Sequence, residues 1–135
     1  MASIVLFHSI LGLRDVEHQF ADILRSDGHE VLLPDLYNGK TAETYDAGFA
    51  LKEKIGDPTI HTHAEQALAS APATAVLAGV SFGAFLVGSY WGKRPRMPGA
   101  MLLAGSAEWM TPRRAGLPVS AHIARPDPFD EGLLH

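Results

Sequence analysis

The pattern of apolar and polar positions divides the chain into short buried strands separated by amphipathic helices. Ile4 to Phe7 is a continuous apolar run, the mark of a strand covered on both faces rather than one with a wet side. A loop, His8-Ser9-Ile10-Leu11-Gly12, follows it. From Arg14 to Ser26, Val16, Phe20, Ile23 and Leu24 recur at helical spacing, and Gly28 is a stop signal. Glu30 to Leu33 reads as a second strand, closed by Pro34. Strand, helix and strand within about 30 residues form a βαβ unit, whose crossover makes the two strands parallel.

Asn38-Gly39 marks a turn, and Tyr45 to Ile55 predicts a helix interrupted by Gly48. Thr59 to Ala71 predicts another helix, closed by Pro72. Thr74 to Ala78 is the third strand, Gly83 to Gly92 a helix, Ala100 to Ala104 the fourth strand and Val119 to Ala124 the fifth. No internal repeat, low-complexity tract or linker interrupts this alternation. The expected fold is an α/β protein of one domain, residues 1–135. It is a three-layer αβα sandwich on a mainly parallel sheet, with strands in the spatial order second, first, third, fourth, fifth.

Composition narrows the function classes. The 135 residues are 47% hydrophobic, enough for one core and too apolar for intrinsic disorder. A net charge of −4 argues against a nucleic-acid partner, because phosphate contacts need a concentrated basic surface. The basic clusters are only Lys93-Arg94, Arg96 and Arg113-Arg114, which read as solvated loops. The absence of cysteine excludes a disulfide framework, a zinc-thiolate site and a thiol nucleophile. The amino terminus lacks a basic region, and no apolar stretch reaches the roughly 18 residues that span a bilayer. No membrane partner is expected, and the expected location is cytoplasmic.

The candidate chemistry lies in Gly79-Val80-Ser81-Phe82-Gly83. The Gly-x-Ser-x-Gly pattern carries little information as letters alone. Here it follows an apolar, β-branched run and precedes a helix, the context a nucleophile elbow requires. So tight a turn strains the serine backbone, and glycines on both sides remove Cβ atoms that would clash. Ser81 Oγ would stand at the carboxyl end of a strand, over a helix amino terminus whose unpaired N–H groups suit an oxyanion. The Phe82 amide would be one donor and the Ile10 amide, in the loop after the first strand, the other. The structural alternative is that both glycines merely permit a close strand-helix crossing, with Ser81 as a helix cap.

Several segments, in order, resemble the dienelactone hydrolase family of the α/β-hydrolase superfamily. Val5-Leu6-Phe7-His8-Ser9-Ile10-Leu11-Gly12-Leu13 resembles the family's first core strand and oxyanion loop. Gly28-His29-Glu30-Val31 leading to Leu33-Pro34-Asp35-Leu36-Tyr37 is similar to its next strand and the Pro-Asp-Leu-Tyr signature. Gly79 to Ala84 is similar to the elbow, and Ala124-Arg125-Pro126-Asp127-Pro128-Phe129 to the loop bearing the acid. The resemblance implies a nucleophile at Ser81, an acid at Asp127 and oxyanion donors at Ile10 and Phe82. The implied activity is hydrolysis of a small-molecule ester or lactone through an acyl-serine intermediate, with no metal and no organic cofactor.

Three departures bear on this. The founding members carry cysteine where this chain has Ser81, and a glutamate where it has Ser9. They also place the catalytic histidine roughly 30 residues after the acid, whereas this sequence ends eight residues after Asp127. A serine hydroxyl needs an adjacent base, and seven histidines are available. His135 follows the acid but is terminal, and His8 should lie near the Ser81 mouth as a base or as a residue shaping the oxyanion hole. His18 and His29 read as solvated, and His122 as packed within a strand. His61 and His63, two apart on a predicted helix, face different ways and do not make a metal site with Glu65. Asp127 can also be a turn residue between prolines, with Asp130 as the substitute acid. A sheet lacking its last strand exposes an edge, which favours a homodimer or aggregation. The rival to the enzyme is a catalytically silent, self-associating binding protein. Truncation, or a histidine supplied by a partner chain, would also account for the early end.

Overall fold

A computed structural model describes residues 2–103 and 118–122. Its elements in chain order are β1 (Ser3–Phe7), α1 (Asp15–Ser26), β2 (Glu30–Leu32), α2 (Tyr45–Ile55), α3 (Asp57–Ser70), β3 (Val76–Val80), α4 (Phe82–Tyr90), β4 (Ala100–Leu103) and β5 (Val119–His122). The five strands form one sheet in the order β2-β1-β3-β4-β5, and every pairing is parallel. This is the expected order, with β1 and β3 at the centre.

The continuous apolar run of β1 has a direct physical reason. Successive side chains point to opposite faces of a strand, and both faces of β1 are covered. Val5 and Phe7 join Leu77, Leu102, Ile60 and Val87 in a core beneath α3 and α4. Ile4 and Leu6 pack with Ala78, Phe20 and Leu24 under α1 on the other face. Burying a side chain the size of Leu6 or Phe7 is worth roughly 2–3 kcal/mol, and β1 contributes to both layers.

The structure corrects several boundaries and faces. The buried stripe of α1 runs through Glu17, Phe20, Ala21 and Leu24, whereas Val16 and Ile23 are 51% and 61% exposed. Phe20 and Leu24 are common to both readings, and the helix is rotated so that a glutamate takes the inward place assigned to Val16. β3 begins at Val76 rather than Thr74 and extends through Gly79 and Val80. Pairing with Phe7 on one side and Leu103 on the other holds those two residues in the sheet. α3 starts before Thr59 because Pro58 suits the first helical turn. α4 ends at Tyr90, and a single 3₁₀ turn, Trp91–Lys93, continues it. Arg94 is half-buried, not solvated: it donates to the Pro72 and Leu68 carbonyls at 2.6 and 3.4 Å, capping the end of α3.

Candidate functional site

In a parallel sheet every strand ends at the same edge, so the segments that follow β1, β2, β3 and β4 gather there. The turn after β3 is the sharpest. Ser81 has φ 54° and ψ −111°, a conformation that costs a non-glycine residue about 1–3 kcal/mol. Its surroundings hold it there. The Ser81 amide donates to the Leu103 carbonyl at 2.7 Å, and the Ala84 amide donates to the Ser81 carbonyl at 2.9 Å. A Cβ at Gly79 would lie 2.2 Å from the Gly83 carbonyl, and one at Gly83 would lie 2.3 Å from the Phe7 carbonyl oxygen. Both glycines are therefore required by backbone closeness. The helix-cap alternative does not fit, since the Ser81 side chain makes no capping hydrogen bond. The residue is half-buried.

Phe82 opens α4, and first-turn amides have no partner within their own helix. Its ring packs against the core, with the Lys52 ammonium 5.7 Å from the ring centroid and paired to Asp57 at 2.9 Å. Ile10 lies in a turn closed by the Gly12 amide donating to the Ser9 carbonyl at 3.1 Å, while the Leu11 amide donates to Ser9 Oγ at 3.1 Å. The Ile10 side chain is buried, which anchors the turn. Among the turn, loop and cap hydrogen bonds of the described residues, neither the Ile10 nor the Phe82 amide is a donor.

Two further segments press on the turn after β1. α2 crosses it so closely that a Cβ at Gly48 would lie 2.8 Å from the Ile10 carbonyl oxygen. Gly48 therefore does not interrupt the helix, as its sequence suggests; it lets the helix approach. The segment after β2 meets the turn where the Ala42 amide donates to the Leu11 carbonyl at 2.9 Å. This segment is organised by Asp35, whose two carboxylate oxygens accept the Tyr37 and Gly39 amides at 3.0 and 2.9 Å. The sequence carried that signal as an aspartate shortly before Asn38-Gly39, the composition of a side-chain-supported turn.

His8 is fully buried, and both ring nitrogens are engaged. Nε2 accepts the Leu36 amide at 3.0 Å, so the proton sits on Nδ1, which donates to the Ser9 carbonyl at 2.8 Å. The ring meets Tyr37 edge-on, with centroids 4.9 Å apart. Burial lowers its pKa, outweighing the Ser9 hydrogen bond and the Asp35 charge. Of the two readings of His8 the base does not fit, because its only lone-pair nitrogen is already an acceptor.

The other histidines sort by surroundings. His18 is exposed, as expected. His29 is not simply solvated, since its Nδ1 accepts the Ala2 amide at 3.0 Å. His61 Nδ1 lies 2.7 Å from the Tyr90 hydroxyl, and a Glu65 oxygen lies 3.4 Å from it, so both groups serve the α3–α4 contact. Among the described residues no three metal-ligating side chains converge. His122 ends β5. Asp127, Asp130 and His135 lie outside the described residues, as do the boundary expected at Ala124 and the basic pair Arg113-Arg114. Among the described residues no helix is long and apolar enough to cross a membrane.

The site thus brings Ser81, Phe82 and the turn around Ile10 to one edge of the sheet, joined where the Phe7 and His8 carbonyls lie against Gly83. A search of curated proteins found none that matches the chain. The sequence model of the dienelactone hydrolase family matches residues 1–131, and with the parallel sheet built as described, the chain belongs to that family of α/β-hydrolase-type hydrolases.

Proposed function

We propose that the protein is a serine-dependent carboxylic ester or lactone hydrolase in which Ser81 is the nucleophile. The observation that carries this reading is the Ser81 backbone, held at φ 54° and ψ −111° with its hydroxyl uncommitted to capping. Strain of that kind persists where the surroundings over-determine it, and it keeps a side chain accessible above a helix amino terminus. In the proposed reaction Ser81 Oγ attacks the acyl carbon while its proton passes to a base. The tetrahedral oxyanion is held by the Ile10 and Phe82 amides, and the alcohol leaves with a proton. Water then releases the acid from the acyl-serine. Asp127 is proposed as the acid that orients the base, and no cofactor enters the scheme.

Turnover of a short-chain p-nitrophenyl ester tests the proposal. Ser81→Ala should abolish it, lowering kcat by at least about 10³-fold, the scale for removing a nucleophile. A serine-directed phosphonate should label the wild type at Ser81 and leave the variant unlabelled. An absence of both turnover and labelling in the wild type would overturn the enzyme reading and leave the silent, self-associating member of the family.

A further inference from the structure

We propose that His8 is a positioning residue, tying the turn that carries the Ile10 amide to the segment after β2. This deepens the reading of Ser81 and Ile10 as a hydrolytic site and rests on it. The two loops come from different strands, β1 and β2, and the Ala42–Leu11 hydrogen bond joins them beyond Ile10, on the far side of the turn from His8. His8 spans that gap with one ring: Nδ1 donates to Ser9 on one side and Nε2 accepts from Leu36 on the other. The Ser9 carbonyl that receives Nδ1 also closes the turn by accepting the Gly12 amide. The Ser9 peptide group contains the Ile10 nitrogen. Fixing the Ser9 carbonyl therefore fixes the plane in which the Ile10 N–H points.

The clamp works only while His8 is neutral, because a protonated Nε2 cannot accept the Leu36 amide. The groups facing the ring are Tyr37, which contributes an uncharged edge contact, and Asp35, whose charge favours protonation. Burial opposes it and is the larger effect. The neutral, clamped form holds at neutral pH and is lost only as pH falls below the ordinary histidine value of 6.5. An oxyanion donor displaced in this way costs rate rather than substrate binding, since it acts on charge that develops in the transition state.

Two substitutions separate the roles of the ring. In His8→Gln the side-chain amide stands at the place of Nε2, so its oxygen can accept the Leu36 amide while the Ser9 carbonyl is left without its donor. In His8→Asn the amide stands at the place of Nδ1, so it can still donate to the Ser9 carbonyl but cannot reach the Leu36 amide, and neither substitute titrates. His8→Asn should lower kcat about tenfold or more with KM changed by less than about threefold. His8→Gln, which keeps the Leu36 contact but frees the Ser9 carbonyl, should lower kcat to a similar extent, and both variants should lose the acid limb that His8 contributes to the pH profile. Amide hydrogen exchange by NMR reads the clamp without any turnover. Leu36 should exchange faster in His8→Asn than in the wild type or His8→Gln, Gly12, whose acceptor is the Ser9 carbonyl, should exchange faster in His8→Gln, and the neutral wild-type ring should show the Nδ1–H tautomer. A folded His8→Asn with wild-type kcat and pH profile overturns the inference while leaving the hydrolase reading intact. If the wild type neither turns over ester nor labels at Ser81, the hydrolase reading fails. The exchange rates then decide the clamp: unchanged protection of Leu36 in His8→Asn and of Gly12 in His8→Gln overturns it too.

Discussion

Replacing Gly83 by alanine probes the close approach of α4 to the end of β1. A Cβ there would stand 2.3 Å from the Phe7 carbonyl oxygen and 2.8 Å from both the Phe7 carbonyl carbon and the His8 carbonyl oxygen. Every neighbour is backbone, so no side chain can swing aside. Ordinary contact begins near 3.4 Å, so roughly 1 Å of separation must come from moving α4 or the end of β1. Neither is free to move. Phe7 pairs with Gly79 in the sheet, and α4 is packed through Ala84, Leu86, Val87 and Tyr90. Overpacking a core costs about 1–3 kcal/mol, and the upper end applies where only backbone meets the new methyl. Alanine recovers about 1 kcal/mol of helix propensity, leaving a net loss of about 2 kcal/mol. For a chain of this size that is a fall in Tm of about 8 °C. Because the methyl sits two residues from Ser81, the proposed ester hydrolysis should fall about 100-fold. Gly28→Ala is the control. It meets nothing within 4 Å but has φ +92°, so it should cost about 1 kcal/mol and leave turnover unchanged. Thermal unfolding followed by circular dichroism, with turnover measured on both variants, provides the comparison. A Gly83→Ala protein as stable and as active as the wild type would refute the reasoning.

Two other perturbations probe the frame around the site. Glu17 is buried, accepts the Arg14 amide at 3.0 Å through one oxygen, and has its pKa raised chiefly by burial. A raised carboxyl pKa contributes stability below the ordinary value of 4.5 that is lost as pH rises through the folded-state value. Glu17→Gln keeps an oxygen for Arg14 and removes the ionisation, so its urea midpoint should exceed the wild type's at neutral pH, with the difference shrinking toward pH 4; a difference independent of pH would contradict this. Thr44→Ala removes the cap that accepts the Ala47 amide at 3.1 Å, and urea unfolding should show a loss of about 1 kcal/mol. A neutral result there would mean that packing against Ile10 alone sets the start of α2.

The set of elements, their parallel order and the turn at Ser81 were legible in the residues alone. These follow from local physics. A strand buried on both faces must be apolar throughout, as Ile4 to Phe7 is, and a serine between two glycines after such a strand has few other places to be. Contacts between segments distant in sequence were not, and the folded arrangement set them. Gly48 reads as a break in a helix and proves to be the place where α2 touches Ile10. Val16 and Glu17 are neighbours on one helix, and only the docking angle of α1 shows that the glutamate goes inward. His8 resembles a candidate base until Leu36, 28 residues along the chain, is seen to occupy its lone pair. Periodicity reports how each segment divides water from core. It carries no information about which distant amide a buried nitrogen will meet, because that depends on how the loops from separate strands are brought together.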